Sequence, residues 1–152
     1  MTLELRVPPP LVAGTVGLLM WLASKFLGAL NFALPARGAL AIALAAAGLC
    51  LGIVALLQFR KARTTHHPMK PEEASVLVIA GVYRFTRNPM YLGVLLILLA
   101  GAVWLANVAA FLLLPGFVAY LNRFQIAPEE RALQARFGAD YDAYRRAVRR
   151  WI

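Results

Sequence analysis

From Ala39 to Phe59 the chain passes through twenty-one residues without a charge. A helix of that length covers about 30 Å, the hydrocarbon thickness of a bilayer. Three more apolar runs accompany it: Leu11 to Leu30, broken only by Lys25, then Met90 to Leu105 and Val108 to Leu121, which meet at Ala106-Asn107. A chain of 152 residues has room for one domain, which cannot bury four such runs internally. Its hydrophobic fraction is 61% with glycine left out, where soluble domains lie near ~45–50% with glycine counted. The sequence predicts a small integral membrane protein.

Charge supports this by its position. Sixteen Lys and Arg against seven Asp and Glu give +9. The basic residues crowd into two segments, Arg60 to Arg87 and Arg123 to Arg150, beside the apolar runs. That is the positive-inside pattern, and it places both segments in the cytoplasm. A disordered basic tail is excluded because such chains are poor in apolar residues. Nucleic-acid binding would leave the apolar runs unexplained, so no nucleic-acid partner is expected. One cysteine, Cys50, excludes an internal disulfide, and two adjacent histidines, His66 and His67, make a poor metal site; no metal is expected. Cys50 itself reads as a buried apolar thiol.

The expected architecture is all-α: about four transmembrane helices, a cytoplasmic re-entrant segment and a C-terminal amphipathic helix, all in one domain over 1–152. Residues 1–59 hold two spans and 60–152 the remainder. Pro8-Pro9-Pro10 gives a stiff start to the first span and argues against a cleaved signal peptide. Lys25 can snorkel to the outer interface. Ala41, Ala45, Gly48 and Gly52 make a small-residue stripe on the second span. Val76 to Ala80 is too short to cross and reads as interfacial or re-entrant. The last two runs read as a hairpin turning at Asn107, with a kink at Pro115-Gly116. Beyond Pro128, Leu133, Phe137, Tyr141, Tyr144, Val148 and Trp151 recur at helical steps between arginines, interrupted at Gly138. With four spans, both termini and the Arg60–Asn88 loop lie inside, and the turns at Asn31–Gly38 and Asn107 outside. This is a multi-pass protein suited to a bacterial inner membrane.

Two polar segments at the cytoplasmic face could carry chemistry. The first is Gly81-Val82-Tyr83-Arg84-Phe85-Thr86-Arg87-Asn88-Pro89-Met90-Tyr91-Leu92-Gly93, the second Pro128-Glu129-Glu130. Singly, their residues have plain structural readings. Asn88 suits a helix N-cap and Pro89 a first helical position. Arg84 and Arg87 suit orientation anchors, and Tyr83 and Tyr91 interfacial aromatics. Pro128 with two acids suits a helix start.

Together and in this order they resemble the isoprenylcysteine carboxyl methyltransferase family and the related phospholipid methyltransferases. The resemblance runs from about Thr64 to the C-terminus. It rests on Arg87-Asn88-Pro89-Met90-Tyr91, a hydrophobic hairpin, Glu129-Glu130 and Phe137-Gly138-Ala139-Asp140-Tyr141. It implies an integral membrane methyltransferase using S-adenosyl-L-methionine and releasing S-adenosyl-L-homocysteine, with an active site facing the cytoplasm. The positions similar to cofactor contacts are Val76, Leu77, Val78, Tyr83, Asn88, Pro89, Met90, Tyr91 and Glu129. Such a set suits the ligand: apolar walls for adenine and a carboxylate for the ribose diol. Gly81 and Gly93 leave room for close backbone approach.

The acceptor implied is a lipophilic small molecule or membrane lipid offering a carboxylate, amine or hydroxyl. Glu130 is the candidate base or substrate-orienting group, and Arg87 is a further catalytic candidate. Gln125 stands where the prenylcysteine enzymes carry an arginine for the substrate carboxylate, and glutamine brings no charge to that task. Poor use of prenylcysteine and better use of another nucleophile, such as a lipid amine, are therefore expected. The competing reading is a non-catalytic membrane anchor or assembly protein on the same scaffold. The sequence gives no oligomeric state.

Overall fold

The computed structural model describes residues 4–62 and 75–152. His66 and His67 fall outside the described residues, as do Arg63 and Lys70. Among the described residues six α-helices follow in order: α1 Pro9–Phe26, α2 Arg37–Lys61, α3 Pro89–Leu105, α4 Val108–Leu121, α5 Ala127–Phe137 and α6 Ala139–Ala147. Among the described residues the only extended pairing is an isolated bridge between Asn31 and Asn107. The all-α expectation holds.

Three helical segments are long and apolar enough to cross a membrane: Pro9–Phe26, Arg37–Lys61 and Val108–Phe137. Among the described residues three of the four expected spans reach this length, and α3 is a shorter apolar helix of 17 residues. The third segment corrects the expected boundary between hairpin and tail. Helix α4 continues beyond Leu121 through one π-helical stretch, Asn122–Ile126, directly into α5. Pro128 is thus inside a 30-residue rod rather than at a helix start. Its missing N–H orphans the carbonyl of Phe124, and the N–H of Leu5 donates to that oxygen at 3.0 Å. Pro115 also lies inside α4, whose helix runs on through it; the irregular hydrogen bonding comes later, in the π stretch. Helix α1 stops at Phe26, short of Leu30, because Gly28–Leu30 tightens into a 3₁₀ turn.

The turn between α3 and α4 forms at the expected place. Ala106 takes a left-handed φ of 48°, and Asn107 caps α4 by accepting from the N–H groups of Ala109 and Ala110. The Asn107 amide also donates to the Leu27 carbonyl at 3.1 Å and to Asn31 Oδ1 at 2.7 Å. The two turns therefore meet at one end of the bundle.

Helix α2 packs along α3, and the small-residue stripe is the reason. A Cβ on Gly48 would stand 2.5 Å from the Gly93 carbonyl, and one on Gly93 would stand 2.6 Å from the Gly48 carbonyl. Ala41 is buried there with Ala100 and Val103. Cys50 corrects an expectation: it is exposed, on the outward side of α2. On the other side of α3, Met20, Leu98, Phe117, Leu121 and Ile126 join α1, α3 and α4 into the main core.

Candidate active site

The end of the bundle opposite the two turns holds a cavity of about 440 Å³. Its floor is the start of α3, where Pro89 fills the first helical position. Asn88 does not cap this helix as expected. Its Nδ2 donates instead to the Arg150 carbonyl at 2.9 Å, because the C-terminal segment has come back across the site. Arg87 is held by the same segment: its N–H donates to the Arg149 carbonyl, and its Nη1 to the carbonyls of Arg145 and Val148. The tail is thus packed under the bundle, not laid along a surface.

Val76, Leu77 and Val78 form an irregular wall of the cavity. The chain turns in after them at Gly81, whose φ of +61° favours glycine and whose Cβ position is taken by the Gln58 side chain. The following 3₁₀ turn, Gly81–Arg84, buries Tyr83 edge-on against Phe59, with ring centroids 5.5 Å apart. Tyr144 donates its hydroxyl to the Tyr83 carbonyl at 2.7 Å. Burial raises the pKa of Tyr144 above its ordinary value, so this hydroxyl stays a donor.

The two glutamates have separate surroundings, as their 100° divergence on a helix demands. Glu129 accepts from the Tyr91 hydroxyl and from Gln125 Nε2, each at 2.5 Å and both on Oε1. Glu130 accepts at both oxygens: Oε1 from Arg87 Nη2 at 2.7 Å and Arg150 Nε at 3.0 Å, Oε2 from Arg150 Nη2 at 2.5 Å. The Arg87 Nε, though buried, has no partner among the described residues.

Nearly every residue singled out in the sequence comes to this cavity. Val76, Leu77, Val78, Tyr83, Arg87, Asn88, Pro89, Met90, Tyr91, Glu129 and Glu130 all line it. Gln125 does not. It is 2% exposed and reaches the site through Glu129, so a substrate-contacting role for it has no geometric support. Glu130, expected as a base or substrate-orienting group, is engaged by two guanidinium groups and ties α5 to Arg87 and to the C-terminal segment. The sequence reading missed Phe59, at the end of α2, and Pro9 and Pro10, at the start of α1; none carries a pattern that marks it. Tyr141 and Tyr144 also line the cavity. Their helical spacing identified them as inward-facing but not as site residues.

Residues 36–140 match the phospholipid methyltransferase family. That covers more than two thirds of the chain, including both motif segments. The chain belongs to this family. A protein of Haemophilus influenzae named only as uncharacterized is 49% identical over 63 residues, 41% of this chain and all of that protein. No solved structure matches the chain. As a phospholipid methyltransferase family member it is a membrane transferase whose methylation substrates are lipid-like. The match begins at α2, well before Thr64, where the sequence resemblance was first legible. It leaves α1, most of α6 and the C-terminal segment outside.

Proposed function

We propose that this protein transfers a methyl group from S-adenosyl-L-methionine to a lipophilic acceptor that reaches the cavity from the bilayer. The observation that carries this reading is the Glu129 carboxylate on the wall of an otherwise largely apolar cavity, held by Tyr91 and Gln125. A volume of about 440 Å³ falls within the roughly 300–1,000 Å³ usual for cofactor and ligand sites. The donor set also suits this cofactor. Glu129 offers acceptor oxygens to a ribose diol, and Val76–Val78 and Phe59 supply apolar wall for an adenine.

When bound, the sulfonium supplies an activated methyl group. The chain's contribution is position. Tyr91 and Gln125 fix Glu129; Arg87, Glu130 and Arg150 fix the segment Thr86–Pro89 against the C-terminal segment. Such alignment of donor and acceptor is the main catalytic resource for an in-line displacement. Gln125 supplies no charge, and among the described charged side chains lining the cavity Arg87 is the one cation, already bonded to Glu130. A buried substrate carboxylate would have no unpaired cation on that wall, which favours an acceptor without negative charge, such as a lipid amine that enters as the free base after releasing its proton to water.

The experiment is titration of the purified protein with S-adenosyl-L-methionine by calorimetry, followed by labelled-donor turnover on total membrane lipid. Glu129→Ala is expected to weaken binding about ten- to a hundredfold, the loss of a charge-assisted contact of roughly 1.5–3 kcal/mol. Unchanged affinity in this variant would refute the assignment of Glu129.

For orientation, the reading is four crossings with α3 as the short one, both termini and the cavity on the cytoplasmic side. The meeting of the two turns at one end supports it, and so does charge: Lys25 and Arg37 alone among the described basic residues belong to the turn end. Reporter fusions at Arg37 and at the C-terminus are expected on opposite sides; the same side for both would overturn it.

A further inference from the structure

Of the residues that line the cavity, two are exposed, Pro10 and Val76. They mark two mouths of different character. Val76 belongs to the irregular segment between α2 and α3, outside every candidate span. Pro10 lies in the first turn of α1, itself a candidate span, and its neighbour Leu11 is 61% exposed. Around this second mouth the chemistry is apolar. Ile126 and Val94, on the cavity wall, pack in the same cluster as Val12 and Ala13 of α1.

What holds Pro10 there is a strap that leads into α1 and makes its first two residues, Glu4 to Pro10. Glu4 pairs with Arg131 Nη2 at 2.6 Å and with Arg123 Nη1 at 3.5 Å. One residue on, Leu5 takes a left-handed φ of 54°, a conformation disfavoured for a branched side chain, and its N–H meets the Phe124 carbonyl orphaned by Pro128. Arg123, Phe124 and Arg131 all lie on the rod that carries Glu129 and Glu130. The strap is therefore fastened to the element that bears the site's carboxylates. Among the described residues its polar fastening is one backbone hydrogen bond and exposed ion pairs, which are individually weak. The part before α1 can release without unfolding the helices.

We infer that the strap Glu4–Pro10 is the specificity-determining rim of the acceptor end, where Pro9 and Pro10 select the hydrocarbon part of the lipophilic acceptor and Glu4 fixes their position. The inference rests on the methyl-transfer reading above. The division of labour follows from the two mouths. A water-soluble cofactor has the Val76 side, and a hydrocarbon chain has the Pro10 side, where no charged residue of the cavity wall comes from α1.

The test uses the full chain in phospholipid nanodiscs, in a Cys50→Ser background, with a cysteine reporter on the cavity wall. Val94→Cys serves first and Leu133→Cys second, so that failure of one to fold does not end the experiment. The probes are an N-alkyl maleimide that partitions into lipid and a sulfonated maleimide confined to water. Glu4→Gln is expected to raise the alkyl maleimide rate about two- to fivefold, the population shift expected for loss of an exposed ion pair. The sulfonated probe should keep its rate. Arg131→Gln should raise the rate no more than Glu4→Gln, which also loses the Arg123 pair, and the double variant should be no faster than Glu4→Gln alone, because the shared contact is lost only once. Rates unchanged for the alkyl probe, or raised equally for both probes, would overturn the strap as a rim. Affinity for S-adenosyl-L-methionine is expected to survive Glu4→Gln; its loss would also overturn the placement at the acceptor end. Labelling needs neither cofactor nor turnover. A failed strap thus leaves methyl transfer standing, and wild-type protein that binds no cofactor would refute the function without touching the strap.

Discussion

Helix α3 meets its two neighbourhoods in opposite ways. Along α2 it presents Gly93 to Gly48 so closely that neither position has space for a Cβ, and the contact is backbone against backbone. At its first turn it presents Asn88, Met90 and Tyr91 to a cavity, and the contacts are polar and made to segments distant in sequence. The seam has no freedom and no chemistry. The cavity end is held open by a network whose members, Arg87, Glu130 and Arg150, satisfy one another rather than fill space. Rigidity in one place is what permits an open, braced site in the other, since both are built on the same helix.

Three substitutions separate the two regions. The largest effect is expected from Glu130→Ala, which leaves Arg87, its side chain 10% exposed, without its anion. Removal of one partner from a buried pair costs about 3–5 kcal/mol. Thermal unfolding in detergent should show that loss, and the C-terminal segment should become sensitive to protease before the helices melt. A melting temperature equal to wild type would mean that the brace is ornamental. Next comes Gly93→Ala, a single methyl against the Gly48 carbonyl. Overpacking of this kind costs about 1–3 kcal/mol, and the backbone atoms in the way cannot swing aside. Here the expected signature is lower stability with cofactor affinity retained in the surviving folded fraction. A variant as stable as wild type would show that α2 and α3 are not in such close contact. The smallest effect is expected from Tyr144→Phe, which removes the hydrogen bond to the Tyr83 carbonyl. Loss of about 0.5–1.5 kcal/mol is the ordinary worth of such a bond. It should appear as a modest fall in melting temperature and, because Tyr83 lines the cavity, a small weakening of cofactor binding; a larger fall than Gly93→Ala produces would reverse the order proposed for the two regions.

The helices were largely legible from one dimension. An uncharged run of helical length, a small-residue stripe and an Asn after a short apolar arm are local signals, and α2, the close approach of some backbone along its stripe and the Asn107 turn follow from them, while the structure names α3 as the partner. The motif residues Arg87 to Tyr91 and Glu129-Glu130 were legible as candidates because they interrupt apolar sequence with polar groups at a membrane face. Two local readings failed for the same reason. Asn88 reads as a cap and Pro128 as a helix start, but each is engaged by a segment far away in the chain: the Arg150 carbonyl takes the Asn88 amide, and Leu5 serves the carbonyl that Pro128 leaves open. Cys50 failed differently. An apolar residue on a span is as well placed facing lipid as facing protein, so its hydrophobicity could not choose a side.

The sequence by itself determined that this is a helical membrane protein, where its helices run, and which polar residues stand at its basic face. Those properties depend on length, periodicity and charge, which are additive along a chain. Only the tertiary structure decided that Glu129 answers to Tyr91 and Gln125 while Glu130 answers to Arg87 and Arg150, and that Phe59, Pro9 and Pro10 complete the cavity wall. Each of those outcomes joins residues separated by tens of positions, and their pairing is fixed by how the helices pack and where the last segment returns. Neighbouring glutamates on one helix turn point about 100° apart; which neighbours wait in each direction is a property of the fold.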